Sequence, residues 1–270
     1  MNIYRDYRFQ RKDMFYKHQI TLKENCDYYS KHTHNMYELL YFIEGDAILV
    51  IEDKRYVLKS GDLALIRPMK YHYIQISSSA DYERYDILFD ERNTGIINTD
   101  LIDEEIEVIN INDDEIAAGI FKKLDIYFSR LSDESFYDIL KMQIMELFYD
   151  LSITYEKSAR KISSADPILS RALKYINDNL FTLQSIGEIS EQVFVTDSYL
   201  YRLFKKEMKK SPKKYINDKR LLAAQSLIQM GDKPTEVCER CGFSDYTSFY
   251  RNYKEYFGYP PSKEEQYTAY

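Results

Sequence analysis

One helical pattern occurs twice near the C-terminus, and a chain that carries it is committed there to two copies of one small unit. The first copy reads Thr196-Asp-Ser-Tyr-Leu-Tyr-Arg-Leu-Phe204-Lys-Lys and the second Asp245-Tyr-Thr-Ser-Phe-Tyr-Arg-Asn-Tyr253-Lys-Glu. Leu200 aligns with Phe249, Arg202 with Arg251 and Phe204 with Tyr253, each pair 49 positions apart. Self-similarity at a fixed offset marks repeated supersecondary units. A short apolar stretch precedes each copy: Ile186, Ile189 and Val193 before Thr196, and Val237, Cys238, Cys241, Gly242 and Phe243 before Ser244 and Asp245. This is the layout of two helix-turn-helix units. Thr196, and either Ser244 or Asp245, can accept from the free amides that open the second helix of each unit.

Leu200, Leu203 and Phe204, like Phe249, Tyr253 and Phe257, fall at helical steps and predict one buried stripe per helix. Ser198, Tyr201, Arg202 and Lys205 in the first copy, and Tyr246, Thr247, Tyr250, Arg251 and Lys254 in the second, are left to face a groove. Between the copies, Ser211-Pro212 opens a helix that Gly231-Asp232 stops near Met230. Its Ile216, Leu221, Ala224, Leu227 and Ile228 are placed to touch both units, so one rigid helix would set the spacing of two readers. On one face of B-DNA such readers enter successive major grooves, about 34 Å apart.

The C-terminal part resembles the DNA-binding domain of the AraC/XylS family of bacterial transcription regulators. The matching text is Ser198-Tyr-Leu-Tyr-Arg-Leu-Phe204-Lys-Lys, Ser211-Pro212, Tyr215-Ile216, Arg220-Leu-Leu-Ala-Ala224, Leu227-Ile228, Gly242-Phe243-Ser-Asp245, Phe249-Tyr-Arg251 and Gly258-Tyr-Pro-Pro261. Lys209 stands where the family usually has glycine, Pro234 where it has isoleucine, and Glu264 and Glu265 replace an aromatic residue and an arginine; these departures concern helix ends. The resemblance implies double-stranded DNA as a partner and, for an activator, RNA polymerase.

Net charge is −7, which by itself argues against nucleic acid, but the charge is unevenly placed. From Asp166 to Tyr270 there are 16 Lys+Arg against 14 Asp+Glu, whereas Lys205 to Arg220 alone holds 8 basic and 2 acidic residues, a patch suited to phosphates. Arg202 and Arg251 are therefore the candidate base readers, with Ser198, Tyr201, Tyr246, Thr247 and Tyr250 around them. Lys205, Lys206, Lys213 and Lys214 are candidate phosphate contacts. Cys238-Glu-Arg-Cys241 spells C-x-x-C without a second ligand pair or a βαβ context, so both thiols are read as core.

The N-terminal part alternates short β-rich runs with turn signals: Cys26–Ser30, Glu38–Ile43, Ala47–Ile51, Tyr56–Leu58, Leu63–Ile66, His72–Ile76 and Arg84–Phe89. That spacing predicts a sandwich or barrel. Met1 to His18 has aromatic residues without a clear period and is expected to be an arm. His32-Thr-His34, Glu38, Gly45, Gly61-Asp62, Pro68 and His72 follow the order of a cupin, which these residues resemble. The sugar-responsive members of the regulator family have such a barrel, so His32, His34, Glu38 and His72 are the candidate effector-binding residues. In cupin enzymes the matching positions hold a divalent metal, but the enzymes' final asparagine is Ile76 here. No cofactor is expected, and the same four residues are the candidates should a metal bind.

From Asp113 the period lengthens to that of a helix. Ile116, Ile120, Leu124, Tyr127 and Leu131 form one predicted stripe, and Phe136, Leu140, Ile144, Leu147, Leu151 and Tyr155 a second, with a break at Ser132-Asp-Glu-Ser135. Such a pair covers the barrel, dimerises the protein, or does both. The expected class is α+β: a cupin-like sensing β-barrel over residues 1–112, a helix pair over 113–156, a linker over 157–166, and an all-α double helix-turn-helix domain over 167–270. The expected function is a cytoplasmic, homodimeric, ligand-responsive activator with a small-molecule effector, a sugar among the candidates, and no catalytic role. The alternative is a metal-dependent cupin enzyme with an accessory nucleic-acid module.

Overall fold

Period-two alternation builds the first half of the chain. The structure, a computed structural model, describes residues 2–22, 32–76, 81–91, 97–103, 106–155, 163–164, 166–229 and 231–266. One compact unit comprises Met1–Ile51 with Arg55–Ile162, and a second comprises Ser163–Tyr270 with Glu52–Lys54.

In the first unit the strands are β1 (Asn2–Gln10), β2 (Met14–Leu22), β3 (Tyr37–Glu44), β4 (Ala47–Ile51), β5 (Lys54–Val57), β6 (Asp62–Ile66), β7 (His72–Ile76), β8 (Tyr82–Phe89) and β9 (Val108–Asn110). The larger sheet runs β1-β2-β8-β3-β6-β9, and β5-β4-β7 are consecutive neighbours in the other. Because successive side chains point to opposite faces, β3 serves two cores at once. Leu39 and Tyr41 pack with Leu63, Leu65, Tyr85 and Ile87 on one face. Leu40 and Phe42 pack with Ala64, Ile66 and Tyr82 of their own sheet and with Leu49, Ile51, Ile74 and Ile76 of the other.

The expectation of an N-terminal arm is corrected. β1 and β2 form a hairpin in which Phe9 faces Tyr16, and β2 continues into the sheet by pairing Met14 with Phe89 and His18 with Tyr85. The aromatic residues belong to strands whose buried positions, Phe9, Met14, Tyr16 and His18, mix apolar and polar types, which hides the alternation. Residues of the expected strand Cys26–Ser30 lie outside those described. β9, which the sequence reading did not contain, has only three residues and is positioned by β6.

Helices α1 (Glu115–Arg130) and α2 (Asp133–Thr154) cover the outer face of the larger sheet. Asp114 caps α1 and Ser132 caps α2 by accepting from first-turn amides. The second predicted stripe is buried from Phe136 through Leu151. The first is rotated: Ala117, Ile120, Phe121 and Leu124 face the core, while Ile116 is 52% exposed and Leu131 37%. Phe121 stacks on Tyr41 with ring centroids 4.3 Å apart, and this contact turns the helix.

The second unit contains α3 (Pro167–Asp178), α4 (Ile186–Gln192), α5 (Asp197–Glu207), α6 (Pro212–Gln229), α7 (Pro234–Arg240) and α8 (Tyr246–Phe257). α6 is the axle. Its Tyr215 meets Phe204 of α5 edge to face at 5.7 Å. Its Leu221, Ala224 and Ile228 pack with Val237, Cys238, Cys241, Phe249 and Tyr253. Both cysteines are buried, and burial pushes the Cys241 thiol up to about 11, as suits a packing residue. No described helix is long and apolar enough to cross a membrane.

Candidate functional site

Two assemblies of polar residues stand out, one on each unit. The first is the outer face of α5 and α8. Thr196 caps α5 by accepting from Tyr199 N at 3.2 Å, and Asp245 caps α8 by accepting from Ser248 N at 2.7 Å. Hydrogen bonds from the Ser248 amide hold the Asp245 carboxyl below the usual carboxylate range. With Leu200 and Phe204, and Phe249 and Tyr253, turned into the core, the opposite side of each helix is left to solvent. Ser198, Tyr201, Arg202, Lys205 and Lys206 are exposed on α5 or its last turn, and Tyr246, Thr247, Tyr250 and Arg251 on α8. Lys213 and Lys214 are exposed at the start of α6. Lys214 has a second attachment, an ion pair at 3.2 Å to the fully buried Asp218, which Lys210 also reaches at 2.7 Å.

The two units are not identical. Val193, Phe194 and Val195 donate to the carbonyls of Ile189, Glu191 and Ser190, and Cys241, Gly242 and Phe243 donate to those of Val237, Glu239 and Cys238. The turns therefore match at an offset of 48, with Phe194 equivalent to Gly242, while the caps Thr196 and Asp245 match at 49. One extra residue, Ser244, lies between turn and recognition helix in the second unit. Gly242 has φ +76°, and a Cβ there would lie 2.5 Å from Phe181 O, so glycine is required. Phe194 holds the same left-handed conformation at φ 61°.

The sequence reading passed over Arg220. Its guanidinium donates to Leu180 O at 2.8 Å, Leu183 O at 2.6 Å and Gly242 O at 2.7 Å. It thereby ties the approach to the first unit to the turn of the second. A motif match locates such an arginine but does not show which carbonyls it serves.

The second assembly lies in the β unit, where His32, His34, Glu38 and His72 come together with their potential ligand atoms all within 4.8 Å of one another. His34, Glu38 and His72 are buried and His32 is exposed. Backbone pairing of His32 with His72, at 3.1 and 3.0 Å, brings the residues around His32 to the start of β7. Glu38 Oε2 lies 3.0 Å from both His34 Nε2 and His72 Nε2. Burial opposes ionisation of Glu38, but the neighbouring His72 and His34 rings prevail and hold its carboxyl well below the usual range.

On the inter-sheet face, Arg84 donates to Asp86 Oδ2 at 2.7 Å and to the Tyr82 hydroxyl at 2.8 Å. Asp86 is buried, and its Oδ1 has no hydrogen-bond partner among the described residues. Desolvation, against the opposing pull of Arg84, raises the Asp86 carboxyl above its ordinary value. The sequence reading missed this pair because a charged residue in a strand reads as solvent-facing until the second sheet covers it.

Two helix-turn-helix units on a shared helix, joined in one chain to a two-sheet β domain, define a DNA-binding transcription regulator. The chain belongs to the AraC/XylS family: the AraC-like ligand binding domain profile matches residues 18–102 and the helix-turn-helix domain profile residues 189–266. The raffinose operon transcriptional regulatory protein RafR of Pediococcus pentosaceus is 25% identical over 94% of this chain and 93% of its own. The probable transcriptional regulator LumQ of Photobacterium leiognathi is 36% identical, but the match spans only 33% of this chain and 36% of LumQ. The lactose operon transcription activator of Staphylococcus xylosus is 29% identical over 42% of this chain and 43% of its own. Among solved structures, ToxT from Vibrio cholerae O395 aligns over 94% of this chain and 97% of its own with a TM-score of 0.39 and 15% identity.

Proposed function

We propose that this DNA-binding regulator is a ligand-responsive activator of a sugar-utilisation operon, working as a homodimer in the cytoplasm. Arg202 and Arg251 read bases, Ser198, Tyr201, Tyr246, Thr247 and Tyr250 contact neighbouring edges, and Lys205, Lys206, Lys213 and Lys214 hold phosphates. The observation that carries the DNA-reading part is the pair of arginines, exposed at equivalent positions on two recognition helices of one unit. Arginine can donate to guanine O6 and N7 together, a contact worth about 1–3 kcal/mol of discrimination. Relatives named for the raffinose and lactose operons support a sugar effector.

The effector reading takes support from the buried Arg84, Asp86, His34, Glu38 and His72. Sugar hydroxyls both donate and accept, so they match a buried carboxylate acceptor beside a guanidinium. The effector shifts the equilibrium toward a DNA-competent form by no more than its differential affinity for the two forms. RNA polymerase is the partner that an activator requires. His32, His34, Glu38 and His72 have no catalytic part in this reading.

Binding-site selection on randomised DNA tests the proposal. Arg202→Ala is expected to relax preference at a few base pairs of one half-element and Arg251→Ala at the other. Lys213→Ala should weaken all sequences alike and flatten the salt dependence. A profile for Arg202→Ala that matches the parent at every position would reassign that arginine to the backbone.

A further inference from the structure

We propose that the β unit holds a second small-molecule site, distinct from the inter-sheet residues assigned to the effector, which takes an organic cation with a compact apolar body. A primary alkylammonium is the simplest member of that class. The site is a cavity of about 260 Å³ at the β9 edge of the larger sheet, walled by the residues around Asp100 and Asp103 and by the last turn of α2.

Its floor belongs to the outer core. Ile102, Ile106, Ile109 and Leu151 are buried there with the helix pair against the larger sheet. Arg84 and Asp86 alternate with that face of β8 and share the inter-sheet side with Tyr82. The cavity and the proposed effector residues therefore lie on opposite faces of one sheet and have no residue in common.

The walls are fixed by hydrogen bonds of their own. The Arg67 guanidinium donates to Ile106 O at 2.9 Å, to Ile102 O at 3.1 Å and to Asp103 O at 2.7 Å. The Tyr155 hydroxyl donates to Asn110 O at 3.2 Å, which joins the end of α2 to β9. Walls held in this way spare a ligand the cost of ordering them.

Charge selects the ligand. Asp100 and Asp103 are exposed on the rim, and among the described residues no lysine, arginine or histidine lines the cavity. Arg67 turns its donors to the three carbonyls instead. The last turn of α2 has no basic residue to offset the helix dipole, which places about half a negative charge at a C-terminus. Burial, together with the fields of Asp114, Asp150 and Asp113, pushes the Tyr155 hydroxyl above its ordinary value. The same negative field that opposes a phenolate favours an ammonium group. An anion meets two carboxylates and a helix C-terminus, and a neutral alcohol gains only the apolar floor. Size narrows the class further. Pockets for drug-sized ligands run to about 300–1,000 Å³, so this smaller cavity suits one ring or a short alkyl chain.

Cyclohexylmethylammonium is the probe, with cyclohexylmethanol and cyclohexanecarboxylate as neutral and anionic controls of similar size, each titrated into the full chain by calorimetry. The ammonium is expected to bind one to one, about tenfold more tightly than the alcohol, as two exposed ion pairs allow. The carboxylate should not bind. Raising the salt concentration should weaken the ammonium and leave the alcohol unchanged. Asp100→Asn combined with Asp103→Asn should bring the ammonium down to the affinity of the alcohol. Ser152→Phe, which fills the cavity from α2, should abolish the binding of both. Both aspartates are exposed, so their variant keeps the fold and tests the site by itself. Equal affinities for ammonium and alcohol overturn the cationic class. No binding of the ammonium, or an affinity that both variants leave unchanged, overturns the site. Sugar binding between the sheets stands or falls separately, because neither Arg84 nor Asp86 lines this cavity.

Discussion

Phe194 combines a left-handed backbone, φ 61°, with 87% exposure, at the turn where the second unit has glycine. A bulky residue in that region carries a strain of about 1–2 kcal/mol, of which glycine's extra chain entropy returns about 0.5–1. Phe194→Gly is therefore expected to stabilise the helical unit by roughly 0.5–1 kcal/mol, measured as a higher urea midpoint at unchanged slope. A lower midpoint would show that the exposed ring contributes contacts of its own. Lys209, at φ 57°, obeys the same rule, and here the sequence had already marked a place where the family has glycine. His18 was not legible in that way. It is 1% exposed, with Nδ1 2.9 Å from Asp125 Oδ2 and Nε2 2.8 Å from Glu83 Oε1, while Tyr16 and Tyr85 donate to the same Asp125. Burial disfavours its charge, but hydrogen bonds to Asp125 and Glu83 outweigh burial, so its pKa lies above the ordinary value. A raised folded-state pKa gives stability that is full below about 6.5, the unfolded value, and is lost as pH rises through the folded value. Melting temperatures across that rise should fall more steeply for the parent than for His18→Gln. Parallel curves would remove the imidazolium from the account.

Arg220 and the helix pair act at the scale of elements. Arg220→Met leaves the carbonyls of Leu180, Leu183 and Gly242 without their donor. A buried group so deprived costs about 1–3 kcal/mol. The expected result is a lower urea midpoint together with broader tolerance for the spacing of the two half-elements in DNA selection. Unchanged spacing preference would leave α6 packing alone to set the distance. Helix α2 gives the opposite kind of certainty: Leu140 and Leu147 are fully buried against the larger sheet, so Leu140→Asp should abolish cooperative unfolding of the β unit. Its stripe was legible because large residues recur at helical steps without interruption. The stripe of α1 was not, because Ala117 and Gly119 weaken the period and Ile116 competes with Phe121 for the inner face. The tyrosines beneath, Tyr41 and Tyr85, decide between them by packing on Phe121.

Association belongs to the whole molecule. Leu124, Leu140 and Leu147 face inward and cannot meet a second copy, whereas Met142, Tyr149 and Ile153 of α2 are 53%, 53% and 81% exposed. If the homodimer uses this helix, Ile153→Asp should shift sedimentation from dimer to monomer with little change in melting temperature. A dimer that survives this substitution and Tyr149→Asp would move the interface elsewhere. The sequence alone determined the double helix-turn-helix unit, down to the outward residues of both recognition helices, because local periodicity and capping act within a few turns and repeat themselves. It also determined which four residues of the β unit belong together. Tertiary structure alone decided that the N-terminal hairpin joins the sheet, that Ser244 lengthens the second turn, that Arg220 ties the two units, and that the rings of His34 and His72 meet one carboxylate. Each of these depends on which strand or carbonyl lies opposite, a matter of packing between residues distant in the chain, and no spacing within a segment records it.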